Sequence, residues 1–150
     1  MNAKVVVYGP DGKFWTLLFE EPYNRIGLFL EDEIGSGGEY YLDKALDVVA
    51  GNRVADEWIG NSNTVRTTKE WVLIHNFGLE DVSPVEPVII SMDAYLSILR
   101  YWIDIHPRCK AGKTDLPPFS YDKEMHVDHL TPEAANREFD EIRRNQIRRN

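Results

Sequence analysis

The first nineteen residues carry two apolar runs separated by a turn. Ala3 to Tyr8 is rich in β-branched residues and predicts a strand, and Gly9-Pro10-Asp11-Gly12 carries a turn signal. Lys13 to Phe19 returns with Trp15, Leu17 and Phe19 on one face, so a β-hairpin is expected. The short apolar run Ile26 to Leu30 predicts a third strand. It leads into Glu31-Asp32-Glu33 and then the break Gly35-Ser36-Gly37-Gly38.

The period then changes. Tyr41, Leu42, Ala45, Leu46 and Val49 form one helical stripe, with Glu39 in the first turn and Gly51-Asn52 as the stop. Strand patterns resume at Val54 to Ile59, turn through Gly60-Asn61-Ser62-Asn63 and return over Thr64 to Thr68. Trp71 to His75 and Val88 to Ile90 predict two more strands around a Phe77 to Pro87 loop. Ser91 is positioned to cap a helix striped by Tyr95, Ile98, Leu99, Trp102 and Ile103, with Pro107 expected to end it. Thr131-Pro132-Glu133 starts a last helix with a thin apolar face of Ala135, Phe139 and Ile142. Its acids come early and its arginines late, as the helix dipole favours.

This pattern predicts an α+β fold. A mostly antiparallel sheet carries two helices on one face, with a peripheral C-terminal helix. Residues 1–105 form the α+β core, 106–130 a loop or linker, and 131–150 the C-terminal helix, all within one domain. At 150 residues the chain is long enough to bury roughly two thirds of its unfolded surface without a disulfide or metal staple. Cys109 is the single cysteine, so an intrachain disulfide is excluded. The Val5-Val6-Val7 run is too short for a signal or membrane segment, and a cytoplasmic location is expected.

Charge narrows the partner class. The net charge is −8, and residues 1–105 hold 17 acidic and 8 basic side chains, against 8 and 9 in residues 106–150. An acidic body disfavours direct nucleic-acid binding and favours a basic protein partner. The carboxylates come in sets: Glu20-Glu21, Glu31-Asp32-Glu33, Asp56-Glu57 and Glu80-Asp81, with Tyr23 and Trp58 close by as interface anchors. The simpler reading of these sets is four solvated loops.

Other candidates for chemistry are incomplete. Gly35 to Gly38 before a helix resembles a phosphate cradle, but it lacks the Lys-Ser/Thr of a P-loop and follows three acids. His126 and His129, with Asp122 or Asp128, have a spacing compatible with a metal pair. His75, His106 and Cys109 would each need a partner arranged in space to act as base or nucleophile. Asp128-His129-Leu130-Thr131-Pro132 resembles the opening stretch of HNH-type endonucleases, in which the His is the general base. Asn136 lies too close to supply the downstream ligand, and no His follows His129. A small metal-dependent enzyme built on His126 to Asn136 is the alternative function this segment implies.

Residues 4–105 resemble the small immunity proteins that protect bacteria from polymorphic and contact-dependent-inhibition toxins. The resemblance rests on Phe14-Trp15 in the opening hairpin, Leu30-Glu31-Asp32-Glu33, the Glu57-Trp58-Ile59-Gly60-Asn61 turn, and the helix from Ile89-Ile90-Ser91 to Tyr101-Trp102. It implies a cytosolic inhibitor that covers a toxin domain, often a nuclease, and that has no catalytic residues and no cofactor. The expected partner-binding set is Glu20, Glu21, Tyr23, Glu31, Asp32, Glu33, Asp56, Glu57, Trp58, Glu80 and Asp81. A third reading is a homo-oligomer packed through a sheet edge or the Trp-bearing helix.

Overall fold

The opening alternation forms a hairpin, as expected. Strands β1 (Asn2–Tyr8) and β2 (Phe14–Phe19) pair antiparallel with Ala3 opposite Phe19 and Tyr8 opposite Phe14. Gly9 and Gly12 both take positive φ in the connecting turn, a conformation that costs glycine little. Ala3, Leu17 and Phe19 point into the core. The computed structural model describes residues 1–77, 86–113, 115–128 and 130–149, with side chains as far as Gln146.

The next segment departs from the expected strand. Arg25–Phe29 is a short helix, α1, and it continues as a π-helical segment over Leu30–Ile34. The Gly35 N–H closes that wider turn on the Leu30 carbonyl at 2.8 Å. Ile26, Phe29, Leu30 and Ile34 are all buried, at the i, i+3, i+4, i+8 spacing of a helical face. A strand would have sent Phe29 and Leu30 to opposite sides. Gly27 lets α1 sit directly on the Leu17 carbonyl of β2, where a Cβ would collide with that oxygen.

A second antiparallel sheet follows, in the order β3 (Asp56–Ile59), β4 (Asn63–Thr67), β5 (Trp71–Asn76), β6 (Val88–Ser91). The strands therefore divide between two sheets rather than joining one. Helices α2 (Gly38–Val49) and α3 (Met92–Lys110) pack together, and their apolar faces join Val65, Val72, Ile74 and Ile90 in the main core. Ser91 caps α3, its hydroxyl accepting the Ala94 N–H at 3.1 Å.

Residues 106–130, expected as loop and linker, are mostly exposed, but Cys109, Phe119, Tyr121 and Met125 enter this core. Helix α3 runs past Pro107 to Lys110, because buried Cys109 holds the last turn one turn beyond buried Ile105. Phe119–Ser120 forms β7, which pairs with Asn2 and Ala3 on the far edge of β1. Tyr121 and Met125 are buried as well.

Helix α4 (Pro132–Arg149) covers the opposite face of the second sheet. Strand β5 alternates accordingly. Val72 and Ile74 face α3, while Trp71 and Leu73 join Ala135 and Phe139 of α4 in a separate small core. The architecture is thus α+β with antiparallel pairing throughout the described strands.

Candidate binding surface

The carboxylates expected to meet a partner divide into two kinds. Some hold the fold together, and others remain open at its surface. Glu33 is the clearest of the first kind. Its Oε1 accepts the backbone N–H groups of Ser62 at 2.8 Å and Asn63 at 2.9 Å, and the Asn63 side-chain amide at 3.3 Å. One carboxylate therefore pins the end of the π-helical segment to the β3–β4 turn. Gly60 makes room for it, since any Cβ there would overlap the Glu33 carboxylate.

Asp56 and Glu57 also work inward. Asp56 pairs with Lys44 at 3.7 Å and Arg53 at 3.3 Å. Glu57 accepts Arg66 Nε at 2.7 Å and Arg143 Nη1 at 3.4 Å. Arg66 donates onward to the Asn136 side-chain oxygen at 2.7 Å, and both arginines lie over the Phe139 ring. Glu57 thus anchors α4 to the sheet. Trp58 is half-buried against Tyr40 and Tyr41, with the Lys44 ammonium near its ring. Burial, then the nearby Glu33 carboxylate, raises the Tyr41 hydroxyl above its ordinary value.

The open set lies on either side of α1, before its start and on the π-helical segment. Glu20, Glu21 and Asp32 are exposed, and Glu20 accepts both the backbone and the side-chain N–H of Asn2. Glu31 is half-buried, and its Oε1 is shielded from solvent without a hydrogen-bond donor. At the start of α1, Glu21, Tyr23 and Arg25 line a cleft of about 590 Å³ with Glu86 and His126. Burial, then the Glu124 carboxylate, raises the Tyr23 hydroxyl. Ten helical residues separate the two ends of this edge, a span of about 15 Å. Glu80 and Asp81 lie outside the described residues.

Two surface groups escaped the sequence reading. Tyr40 is exposed beside the acidic segment and edges onto Trp58. Its offset from the Tyr41–Ala45–Val48 stripe was the available signal. Ile59, at 66 % exposure, is open at the end of β3. The Glu33–turn contact and the Tyr40–Trp58 contact bring the π-helical segment, the start of α2 and the end of β3 into one contiguous area.

The remaining candidates are placed as follows. His126 sits on an exposed segment with Glu124 2.9 Å from its Nδ1 and Asp128 3.7 Å from its Nε2, while His129 lies outside the described residues. Among the described residues no group of three or more His, Cys, Asp or Glu side chains is arranged to hold a metal ion. Asn136 is engaged by Arg66. His106 packs against the rings of Trp15 and Trp102, where burial and then Lys110 disfavour its protonation. Cys109 is buried, and burial pushes its thiol up, away from the reactive thiolate. Among the described residues no helix is long and apolar enough to cross a membrane. The chain matches no known family model, no curated protein and no solved structure.

Proposed function

We propose that this chain is an immunity-type inhibitor that binds a basic toxin domain, and that the α1 edge is its contact surface. The observation that carries the reading is charge placed on a held scaffold. Between Leu17 and Asp47 there are eight carboxylates and two cations. Glu21, Glu31 and Asp32 in that stretch have no cationic side chain among their described ion-pair partners. The segment that bears Glu31 and Asp32 is pinned by Glu33, so little order has to be gained on binding. Tyr23 and Tyr40 supply aromatic surface at either end, the residue type that dominates binding energy in interfaces. The acidic rim would speed encounter with a basic partner. The reading implies a cytoplasmic inhibitor with no nucleic-acid or membrane ligand of its own.

Glu33, Asp56, Glu57 and Trp58 take a supporting part in this scheme, and Glu20, Glu21, Tyr23, Glu31 and Asp32 the contacting one. The test first looks for a toxin domain encoded beside this chain's own gene, whose absence counts against the reading, and then uses that domain. Its association rate and affinity are measured by surface plasmon resonance for the wild type and for a Glu21→Lys, Asp32→Lys variant, at low and at high salt. The expected result is salt-sensitive binding that the variant loses by tenfold or more in the association rate. Binding that is indifferent to both salt and the variant sinks the proposal.

A further inference from the structure

The opening hairpin presents a second surface of opposite character. On its outer face Tyr8 and Phe14 sit directly across from each other and stack at 5.6 Å. They are 52 % and 56 % exposed. Together they form an aromatic knob at the turn end of the ribbon. At the other end of the same face, Lys4 and Leu18 face each other across the strands. With Glu20 and Pro118 they line an open groove of about 360 Å³. A knob and a hollow thus occupy opposite ends of one face, separated by Val6 and Thr16.

The charges are arranged in the same sense. Residues 1–19 carry only Lys4, Asp11 and Lys13 as charged side chains, in a chain of net charge −8. Asp11 and Lys13, 3.8 Å apart and both exposed, flank the knob, and Lys4 and the Asn2-bound Glu20 flank the hollow. When two copies of the ribbon are laid face to face about a two-fold axis, with strand directions reversed, each knob meets the other copy's hollow. The same rotation sets Lys13 against Glu20 of the second copy, and Asp11 against its Lys4. Such a surface is self-complementary in shape and in sign, as an isologous interface requires. Residues 1–19 hold a single acidic side chain, so a second copy meets little of the repulsion that the −8 chain carries elsewhere.

We infer that the outer face of the β1–β2 ribbon is a self-association surface whose occupant is a second copy of this chain. The magnitude follows from its size. A ribbon seven residues long covers about 24 Å by about 10 Å, or on the order of 250 Å² per copy. That is well under the roughly 800 Å² per partner of a standard interface. The dimer is therefore weak and concentration-dependent, with a micromolar or weaker dissociation constant. The inference stands independently of the toxin-binding reading, because it uses the face that carries none of the proposed contacts apart from Glu20 at its rim.

Sedimentation velocity over a wide concentration range tests it. The wild type is expected to shift from monomer to dimer as concentration rises. Phe14→Glu and Leu18→Lys, both at exposed positions, should each abolish the shift while keeping the wild-type unfolding midpoint. Lys4→Asp and Asp11→Lys should each weaken the dimer at least threefold, and the two together should restore it. A wild type that stays monomeric throughout overturns the inference. So does a dimer indifferent to Phe14→Glu and Leu18→Lys, or a ribbon that binds a different protein while the chain itself remains monomeric.

Discussion

Replacing Glu33 by alanine removes the only carboxylate on the β3–β4 turn among the described contacts. Its two short bonds go to the Ser62 and Asn63 backbone amides, and Asn63 is fully buried, so water cannot simply take over. Hydrogen bonds to a charged acceptor contribute about 1.5–3 kcal/mol each. The third contact, at 3.3 Å, is weaker, and Glu33 is itself partly open to solvent. After that discount the expected loss is about 2 kcal/mol, or a fall in Tm of about 4–8 °C for a chain of this size. Gly60 sharpens the test. A methyl group at 60 would occupy the space of the Glu33 carboxylate and push it off the turn. Gly60→Ala should therefore cost about as much as Glu33→Ala, for the same reason. The double variant should lose about 2 kcal/mol rather than about 4, because the carboxylate is lost only once. Alanine's lower chain entropy when unfolded makes the double variant slightly better still. Urea unfolding with a common m-value measures all three. Additive losses, or a Glu33→Ala loss within about 0.5 kcal/mol of zero, would refute the reasoning.

Two further outcomes are expected. Glu57→Ala takes from Arg66 and Arg143 the carboxylate they share beside Phe139, leaving Arg66 its bond to Asn136. It should cost roughly 1–2 kcal/mol and speed amide exchange in α4 before it does so in α2 or α3; uniform exchange across the helices would contradict the anchoring role. Asp93 accepts the Tyr121 hydroxyl at 2.6 Å, and that bond, helped by Lys123, holds its carboxyl below the usual aspartate range. Its stabilisation is then complete above the ordinary aspartate value and disappears as pH falls through the lower folded value. Asp93→Asn should flatten the acid limb of the stability curve below the ordinary aspartate value, whereas an unchanged acid limb would exclude the effect.

Local rules carried much of the architecture. The β-branched hairpin with its Pro-Asp-Gly turn, the Tyr41–Ala45 stripe, the Ser91 cap and the Thr131-Pro132 start each depend on neighbours a few residues apart, and each is found where the pattern put it, except that Val48 and not the expected Val49 completes the buried stripe. The Ile26 to Leu30 run is different. Four apolar side chains and a glycine fit a strand or a helix equally well, and the close packing of Gly27 on the Leu17 carbonyl belongs to the helical choice. The stretch after Pro107 reads as loop because its apolar residues are sparse. It is nonetheless drawn into the core by Phe119 pairing beside Ala3 and by the burial of Tyr121 and Met125.

The binding surface shows the same limit. Its acidity is a property of composition, and the excess of carboxylates in the first 105 residues is plain in the sequence. Which carboxylates stay free is a property of pairing across tens of residues. Glu33 is taken by a turn about thirty positions away, and Glu57 is shared between Arg66, nine positions away, and Arg143, 86 positions away. The sequence by itself determined the sign of the surface and the local elements that carry it. Only the tertiary structure decided which acids hold the fold and which face outward, because a carboxylate's role depends on the donors that folding brings within about 3 Å of it.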